Sequence, residues 1–227
     1  MKTTFPACLI AVALLAPLMG VAQNRSFITA DGGLYSKFEI GPTFRPDGEV
    51  TKFGGFSTGN TISYDVGFDF DMAIGYAFNK WVSVEGEFGW NGNQISGVQG
   101  FQLQDTYLYN VPFIANIVFQ YPIRRTRLIP YAGGGGGGSV SIFDTDLFSN
   151  GAVTLVGNES DFVYAYQAFA GVRFEINDKM SAGLGYKYFG TGDSSYSFES
   201  TSGGPDFNLG VSGGGVHMVL CTFNWKF

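Results

Sequence analysis

The sequence predicts an all-β protein, an eight-stranded antiparallel up-and-down transmembrane β-barrel. Three observations carry that expectation. Apolar residues recur at every second position over stretches much longer than the usual strand of about 5–6 residues. The connections between these stretches alternate long and short. The composition is glycine- and aromatic-rich, with 34 Gly, 23 Phe, 12 Tyr and 3 Trp in 227 residues, while charged residues make up only 14% against an average of about 25%.

The same numbers exclude other classes. With 45% hydrophobic residues and few charges the chain can bury surface, so it is not intrinsically disordered. One histidine and two cysteines supply neither a zinc ligand set nor a disulfide framework. A net charge of −6 argues against a nucleic-acid partner.

Residues 1–22 read as a secretory signal peptide. Met1-Lys2-Thr3-Thr4 is a short positive start, Phe5 to Met19 is apolar, and Gly20-Val21-Ala22 offers small residues before Gln23. The run is too short, and too interrupted by Pro6 and Pro17, for a membrane helix. Cys8 would leave with the leader, and residues 23–227 would form the barrel domain with Cys221 as its lone thiol. After residue 22 no stretch of ~18 apolar residues occurs, so no membrane helix is expected.

Seven strands follow from alternation. The first is Phe38, Ile40, Pro42 and Phe44 against Lys37, Glu39, Gly41 and Thr43. The clearest runs from Ser63 to Phe78, with Tyr64, Val66, Phe68, Phe70, Met72, Ile74, Tyr76 and Phe78 on one face and Asp65, Asp69, Asp71 and small residues on the other. Val82 to Trp90 and Tyr107 to Tyr121 continue the pattern, as do Phe162 to Ile176, Met180 to Tyr188 and Val219 to Phe227. The eighth is Leu128 to Ile142, where six consecutive glycines (133–138) erase the period. No Lys-Ser/Thr follows them, so a phosphate loop is excluded. A strand whose missing side chains permit close packing is the better reading.

Long segments lie at about 45–62, 92–106, 143–161 and 190–214, short ones at 79–81, 122–127 and 177–179. Parity makes Asn79-Lys80-Trp81 and Asn177-Asp178-Lys179 three-residue loops. Short turns on one side and long loops on the other are the layout of an outer-membrane barrel. Closure leaves no strand edge in hydrocarbon, and eight strands leave an interior that side chains can fill. Phe78, Tyr121, Tyr131 and Phe227 would form the lower aromatic girdle, Tyr64, Tyr107 and Tyr188 the upper one. A soluble barrel with the apolar face inward is the competing architecture.

The later half resembles the small outer-membrane β-barrel superfamily that includes opacity-type proteins and the membrane domain of outer-membrane protein A. Pro130-Tyr131-Ala132-Gly133, Ala165-Tyr166-Gln167, Ala170-Gly171-Val172-Arg173, Gly185-Tyr186-Lys187-Tyr188-Phe189 and the stretch His217 to Phe227 carry the likeness. The resemblance implies a porin-like barrel of the Gram-negative cell envelope serving as an adhesin, an integrity protein or a narrow pore. It also implies that the ending Cys221, Phe223, Trp225 and Phe227 is a signal read by the outer-membrane assembly machinery. With the chain stopping at Phe227, no peptidoglycan-binding domain is expected after the barrel.

Candidate functional residues are few. Parity places Lys37, Glu39, Asp65, Asp69, Asp71, Glu85, Glu87, Arg173, Glu175 and Lys187 in the lumen, with Arg173 and Glu85 near one level at the periplasmic end. They form either an ion-pair plug or a polar path, and the narrow bore favours the plug. Asp69 and Asp71 are too spread along one strand for a metal shell, and no metal or cofactor is expected. His217 is the only imidazole, and Ser212 near it has no positioned partner acid, so no catalytic set is expected. Lys80, Arg124, Arg125, Arg127 and Lys179 cluster on the short turns, where phospholipid headgroups lie. The loop acids Asp47, Glu49, Asp144, Asp146, Glu159, Asp193, Glu199 and Asp206 could bridge lipopolysaccharide through divalent cations. The expected role is structural or surface-interacting, carried by the four long loops toward an unidentified extracellular ligand, with the protein a monomer. A narrow passive pore is the alternative, and a lipid-modifying barrel enzyme stands third.

Overall fold

Alternation sorts side chains onto two faces of each strand, and in hydrocarbon such a sheet satisfies its backbone only by closing on itself. The computed structural model, which describes residues 32–54, 56–123, 126–151, 153–198 and 207–227, shows that closure. The leader 1–22 with Cys8, the turn bases Arg124 and Arg125, and the loop acids Glu199 and Asp206 lie outside the described residues.

The strands are β1 (Gly33–Phe44), β2 (Gly48–Phe53), β3 (Phe56–Tyr64), β4 (Gly67–Ala77), β5 (Val82–Val98), β6 (Gln102–Gln120), β7 (Leu128–Ser149), β8 (Thr154–Asn177), β9 (Met180–Thr191), β10 (Ser194–Phe198), β11 (Phe207–Val211) and β12 (Gly215–Lys226). Eight of them form an antiparallel ring in the order β1-β4-β5-β6-β7-β8-β9-β12, closed where Phe38 pairs with Phe223 across β1 and β12.

The apolar faces point outward. Leu184 is 63% exposed and Phe119 60%, while Lys37, Glu87 and Lys187 in the lumen are 3%, 4% and 1% exposed. A water-soluble barrel would reverse these values, so the soluble architecture is set aside; the greasy face belongs to lipid. Trp81 packs on Tyr121 near the short turns, and Trp90, Tyr109 and Tyr107 stack in a row toward the other end.

The turns differ slightly from expectation. Asn79 Oδ1 accepts hydrogen bonds from the Trp81 and Val82 amides, closing the first loop. At the second, β8 runs on to Asn177, which pairs with Met180, so the turn is Asp178-Lys179 alone. A register shift between Glu175 and Asn177 absorbs the odd residue, as a bulge does.

The larger departure is on the opposite side. The expected long loops are mostly β-structure. β5 to β8 run 17, 19, 22 and 24 residues, whereas a bilayer needs about 9–11. Beyond the membrane they continue as one half of a second storey. The other half is β3, β2, β11 and β10, laddered in that order with β3 on the upper part of β5. β10 meets β8 through the Ser195 amide, which donates to Asp161 Oδ2 at 2.8 Å. This storey has its own apolar interior, including Val50, Phe53, Ile62, Ile95, Leu108, Phe143, Phe148, Tyr196 and Leu209. Phe143, Ile62, Tyr196 and Leu209 have no solvent exposure.

The strand expected over Ser63–Phe78 is therefore two strands. β3 ends at Tyr64 and β4 begins at Gly67, because the chain bends at Asp65-Val66 where it passes from one storey to the other. Asn93 Nδ2 donates to the Asp65 carbonyl at 2.9 Å, and the Asp65 amide donates to the Gln94 carbonyl. A register shift between Ser63 and Tyr64 turns Tyr64 onto the apolar interior instead of the upper girdle.

β7 crosses the six glycines without losing register. Their bare faces make room for neighbours: a Cβ on Gly133 would lie 2.7 Å from the Phe169 ring. Tyr131, expected in the lower girdle, points inward and is 7% exposed. Its hydroxyl lies over Gly171 and Gly185, where an added Cβ would sit 2.6 and 2.5 Å away. Two adjacent glycines thus form the floor on which this ring rests.

Candidate functional site: a charged lumen beneath a β-rich extension

Each lumen charge sits on a strand at an inward position, so its side chain has nowhere to go but the bore. Lys37 from β1 and Lys187 from β9 occupy the middle. Lys37 Nζ lies 3.2 Å from Glu39, 2.7 Å from Glu85 and 3.1 Å from Glu87. Lys187 Nζ lies 2.9 Å from Glu39, 2.5 Å from Asp71 and 2.9 Å from Glu87. Two ammonium groups therefore face four carboxylates drawn from three adjacent strands, and Glu39 and Glu87 touch both lysines.

Polar neighbours finish the lattice. Gln167 Nε2 donates to Glu87 at 2.8 Å and to Asn116 Oδ1 at 3.0 Å, and Asn116 Nδ2 donates to Glu87 at 3.2 Å. The Tyr35 hydroxyl is 2.7 Å from Glu85 Oε1 and 2.9 Å from Ser83 Oγ. Toward the short turns, Arg173 donates to Asn224 Oδ1 at 2.9 Å and to Gln120 Oε1, and its guanidinium lies 4.8 Å from the Tyr131 ring. The Lys37 ammonium lies 5.0 Å from the Phe169 ring. Charges excluded from water need such saturation, since an unpaired buried ion costs several kcal/mol.

Nine of the ten expected lumen charges are buried; the tenth is a correction. Asp65 is exposed, because the bend at 65–66 takes it out of the inward series. Asp69 is fully buried beside Asp71 but makes no ion pair with either lysine among the described residues. Glu175 lies low in the bore, its backbone amide held by the Arg127 carbonyl. The residues not anticipated are Tyr35, Phe169 and Tyr131. The first two sit on inward parity in the sequence, but an aromatic ring by itself marks the lipid face of such a barrel.

Glu39, Asp71 and Glu87 bring carboxylate oxygens within 4.8 Å of one another, a spacing that could surround a cation. That position is filled by the chain itself, since Lys187 Nζ contacts all three. The pair Asp69/Asp71 weighed from the sequence is not this set, which comes from three different strands.

On the outer face, the residues weighed for catalysis from the sequence each have other partners. His217 Nδ1 is 2.6 Å from the Tyr186 hydroxyl and its ring packs on Tyr188. Ser212 Oγ accepts from the Glu49 amide at 2.9 Å. Cys221 is exposed on the lipid face of β12 with Phe223 and Trp225, and the Phe227 amide donates to the Leu34 carbonyl.

A closed eight-stranded ring with a greasy outer belt and a salt-bridged bore defines an integral barrel of the bacterial outer membrane. Within that class, residues 11–216 match the family described as outer membrane protein beta-barrel domain, and the chain belongs to it. Among solved structures it is similar to the outer membrane protein OprG from Pseudomonas aeruginosa, at 15% identity over 89% of this chain and 99% of that one, TM-score 0.60. It is also similar to Neisserial surface protein A, at 13% identity over 86% of this chain and 97% of that one, TM-score 0.54. The outer membrane protein AlkL matches at 17% identity over 100% of this chain and 97% of that one, TM-score 0.52. At these identities the likeness is one of fold. No curated protein sequence matches the chain.

Proposed function

We propose that this protein is a closed, non-catalytic outer-membrane barrel whose second storey is its working part, a surface element for structural or binding contact outside the cell. The observation that supports this reading is the lattice around Lys37 and Lys187, which joins β1, β4, β5 and β9 across the bore. A path for solutes through it would require breaking several buried ion pairs at once, each costing several kcal/mol. The second storey, by contrast, invests a separate apolar interior in holding β2, β3, β10 and β11 in fixed positions. Ordered strands present a constant surface, as binding elements on rigid scaffolds do.

The partners that fit this reading are outer-membrane lipid and lipopolysaccharide around the belt, and the assembly machinery at the C-terminal strand. The extracellular ligand has no motif that names it.

Planar-bilayer recordings test the closed bore. The purified protein is expected to show no discrete conductance, and Arg173→Ala to show none either, because the lysine lattice remains. Regular steps in the wild type would replace this reading with the passive-pore alternative. Whole-cell binding with and without the β2–β3 hairpin tests the surface role.

A further inference from the structure

The outward row of β8 changes character as it rises. From Ile176 up to Ala168 it is purely apolar; Tyr166, Tyr164 and Phe162 come next, and Ser160 and Asn158 lie above them. Ile176, beside the short turn, marks the lower edge of the belt. Tyr164 is twelve residues further along the strand, or about 30 Å higher for a strand tilted by about 40°. The apolar band of such a barrel is about 25 Å tall. Tyr164 and Phe162 therefore stand above the hydrocarbon, among the headgroups of the outer leaflet.

The rings lie across the wall at glycines of the neighbouring strands. A Cβ at Gly192 would come 2.5 Å from the Tyr164 ring, and one at Gly190 would come 2.5 Å from the Tyr166 ring. Gly138 and Gly215 are covered in the same way by Phe162 and Tyr188. A ring laid over bare backbone keeps its outer side free: Phe162 is 70% exposed, Tyr164 68% and Tyr166 46%. Tyr166 and Tyr188 lie 6.2 Å apart, which carries the tract from β8 onto β9.

The face of an aromatic ring is electron-rich and attracts weakly positive C–H groups. Among headgroups, the ligands that present flat C–H surfaces rimmed by hydroxyls are sugars, and the tyrosine hydroxyls can meet that rim. The tract continues the lipid-facing row of β8 without a break, so its occupant is the surrounding lipid rather than a soluble molecule. Its charge points to sugar and not to phosphate. Residues 158–168, 188–195 and 212–219 contain no Lys or Arg. Asp161 and Asp193 lie beside the tract instead, accepting from the Ser195 and Gly213 amides. We propose that Phe162, Tyr164, Tyr166 and Tyr188 form a stacking site for the neutral sugars of a lipopolysaccharide headgroup. The site rests on the lipid partner proposed above and narrows it to one place on the wall; it is independent of the closed bore and of the β2–β3 hairpin.

The full chain, refolded in detergent, is titrated with rough lipopolysaccharide carrying the inner-core sugars, and native mass spectrometry counts the bound copies. One copy is expected to saturate, and phosphatidylglycerol is expected not to displace it. Lipopolysaccharide stripped of its phosphates should bind as well as the intact form. Replacing two exposed rings together, Phe162→Ser with Tyr164→Ser, should weaken the saturating copy by about tenfold or more. Heat-modifiable gel mobility checks that this variant is folded, and Tyr164→Trp, which keeps a ring, should retain binding. Unchanged binding by the folded double variant would overturn the site while leaving lipopolysaccharide as a partner elsewhere on the belt. Loss of binding on removal of the phosphates, or displacement by phosphatidylglycerol, would overturn sugar stacking. No saturable copy on the wild type would remove both the site and the partner.

Discussion

Lys187 Nζ lies 2.5 Å from Asp71 Oδ2, although β9 and β4 are separated in the barrel wall by β12 and β1. The contact is thus a strut across the bore rather than a link between neighbours. It also neutralises a carboxylate group that Glu39 and Glu87 complete.

Removing that strut leaves three carboxylates facing one another around an empty centre. Lys187→Ala should lower stability by about 3–5 kcal/mol, the usual cost of stranding a buried charge. Urea unfolding in detergent, followed by heat-modifiable gel mobility, measures it. The variant should regain stability on adding calcium, because the vacated position is bounded by oxygens within 4.8 Å of one another. Wild type, whose own ammonium fills the position, should not respond.

The glycine floor under Tyr131 makes a coupled expectation. Gly185→Ala places a Cβ 2.5 Å from the Tyr131 hydroxyl and should cost about 1–3 kcal/mol, as overpacking does. In a Tyr131→Ala background the same substitution should cost much less. The double-mutant cycle reads this difference directly; equal costs in both backgrounds would mean the ring does not rest there.

The second storey has its own core, so it should fail separately from the barrel. Phe143, fully buried there, contacts Phe148, Tyr196 and Phe198. Phe143→Ala should cost about 3–5 kcal/mol locally. Limited proteolysis should then cut the extension while the heat-modifiable band of the barrel persists.

Phe227 closes the lipid-facing series Cys221, Phe223, Trp225 and is 62% exposed. Deleting it removes little packing, so refolding in detergent should change slightly. Insertion in cells should fall more, if the ending is read during assembly. Comparing refolding yield with outer-membrane abundance checks this, and equal losses would point to packing alone.

Period-two alternation determined a great deal. It set seven of the eight wall strands, their outward apolar faces and the inward position of nine buried charges, because a strand has only two faces and lipid tolerates one of them. Lys37 and Lys187 could be placed in the bore without any structure. Which carboxylates each would meet could not, since Asp71 and Lys187 are 116 residues apart and become partners only when the ring closes.

Alternation failed where the local rule stopped deciding. Asp65 lies in phase with Asp69 and Asp71 in the sequence, but the bend between β3 and β4 resets the phase and leaves it exposed. Tyr131 borders a glycine run in which no side chain marks a face, and it turns inward because Gly171 and Gly185, from two other strands, leave space for its ring. The segments read as long loops became a second storey because their apolar residues find one another only across β2, β3, β10, β11 and the tops of β5 to β8. By itself, then, the sequence determined a barrel in an outer membrane with charges in its bore. The tertiary structure alone decided the lattice that fills the bore and the roof above it, because each joins residues distant in the chain.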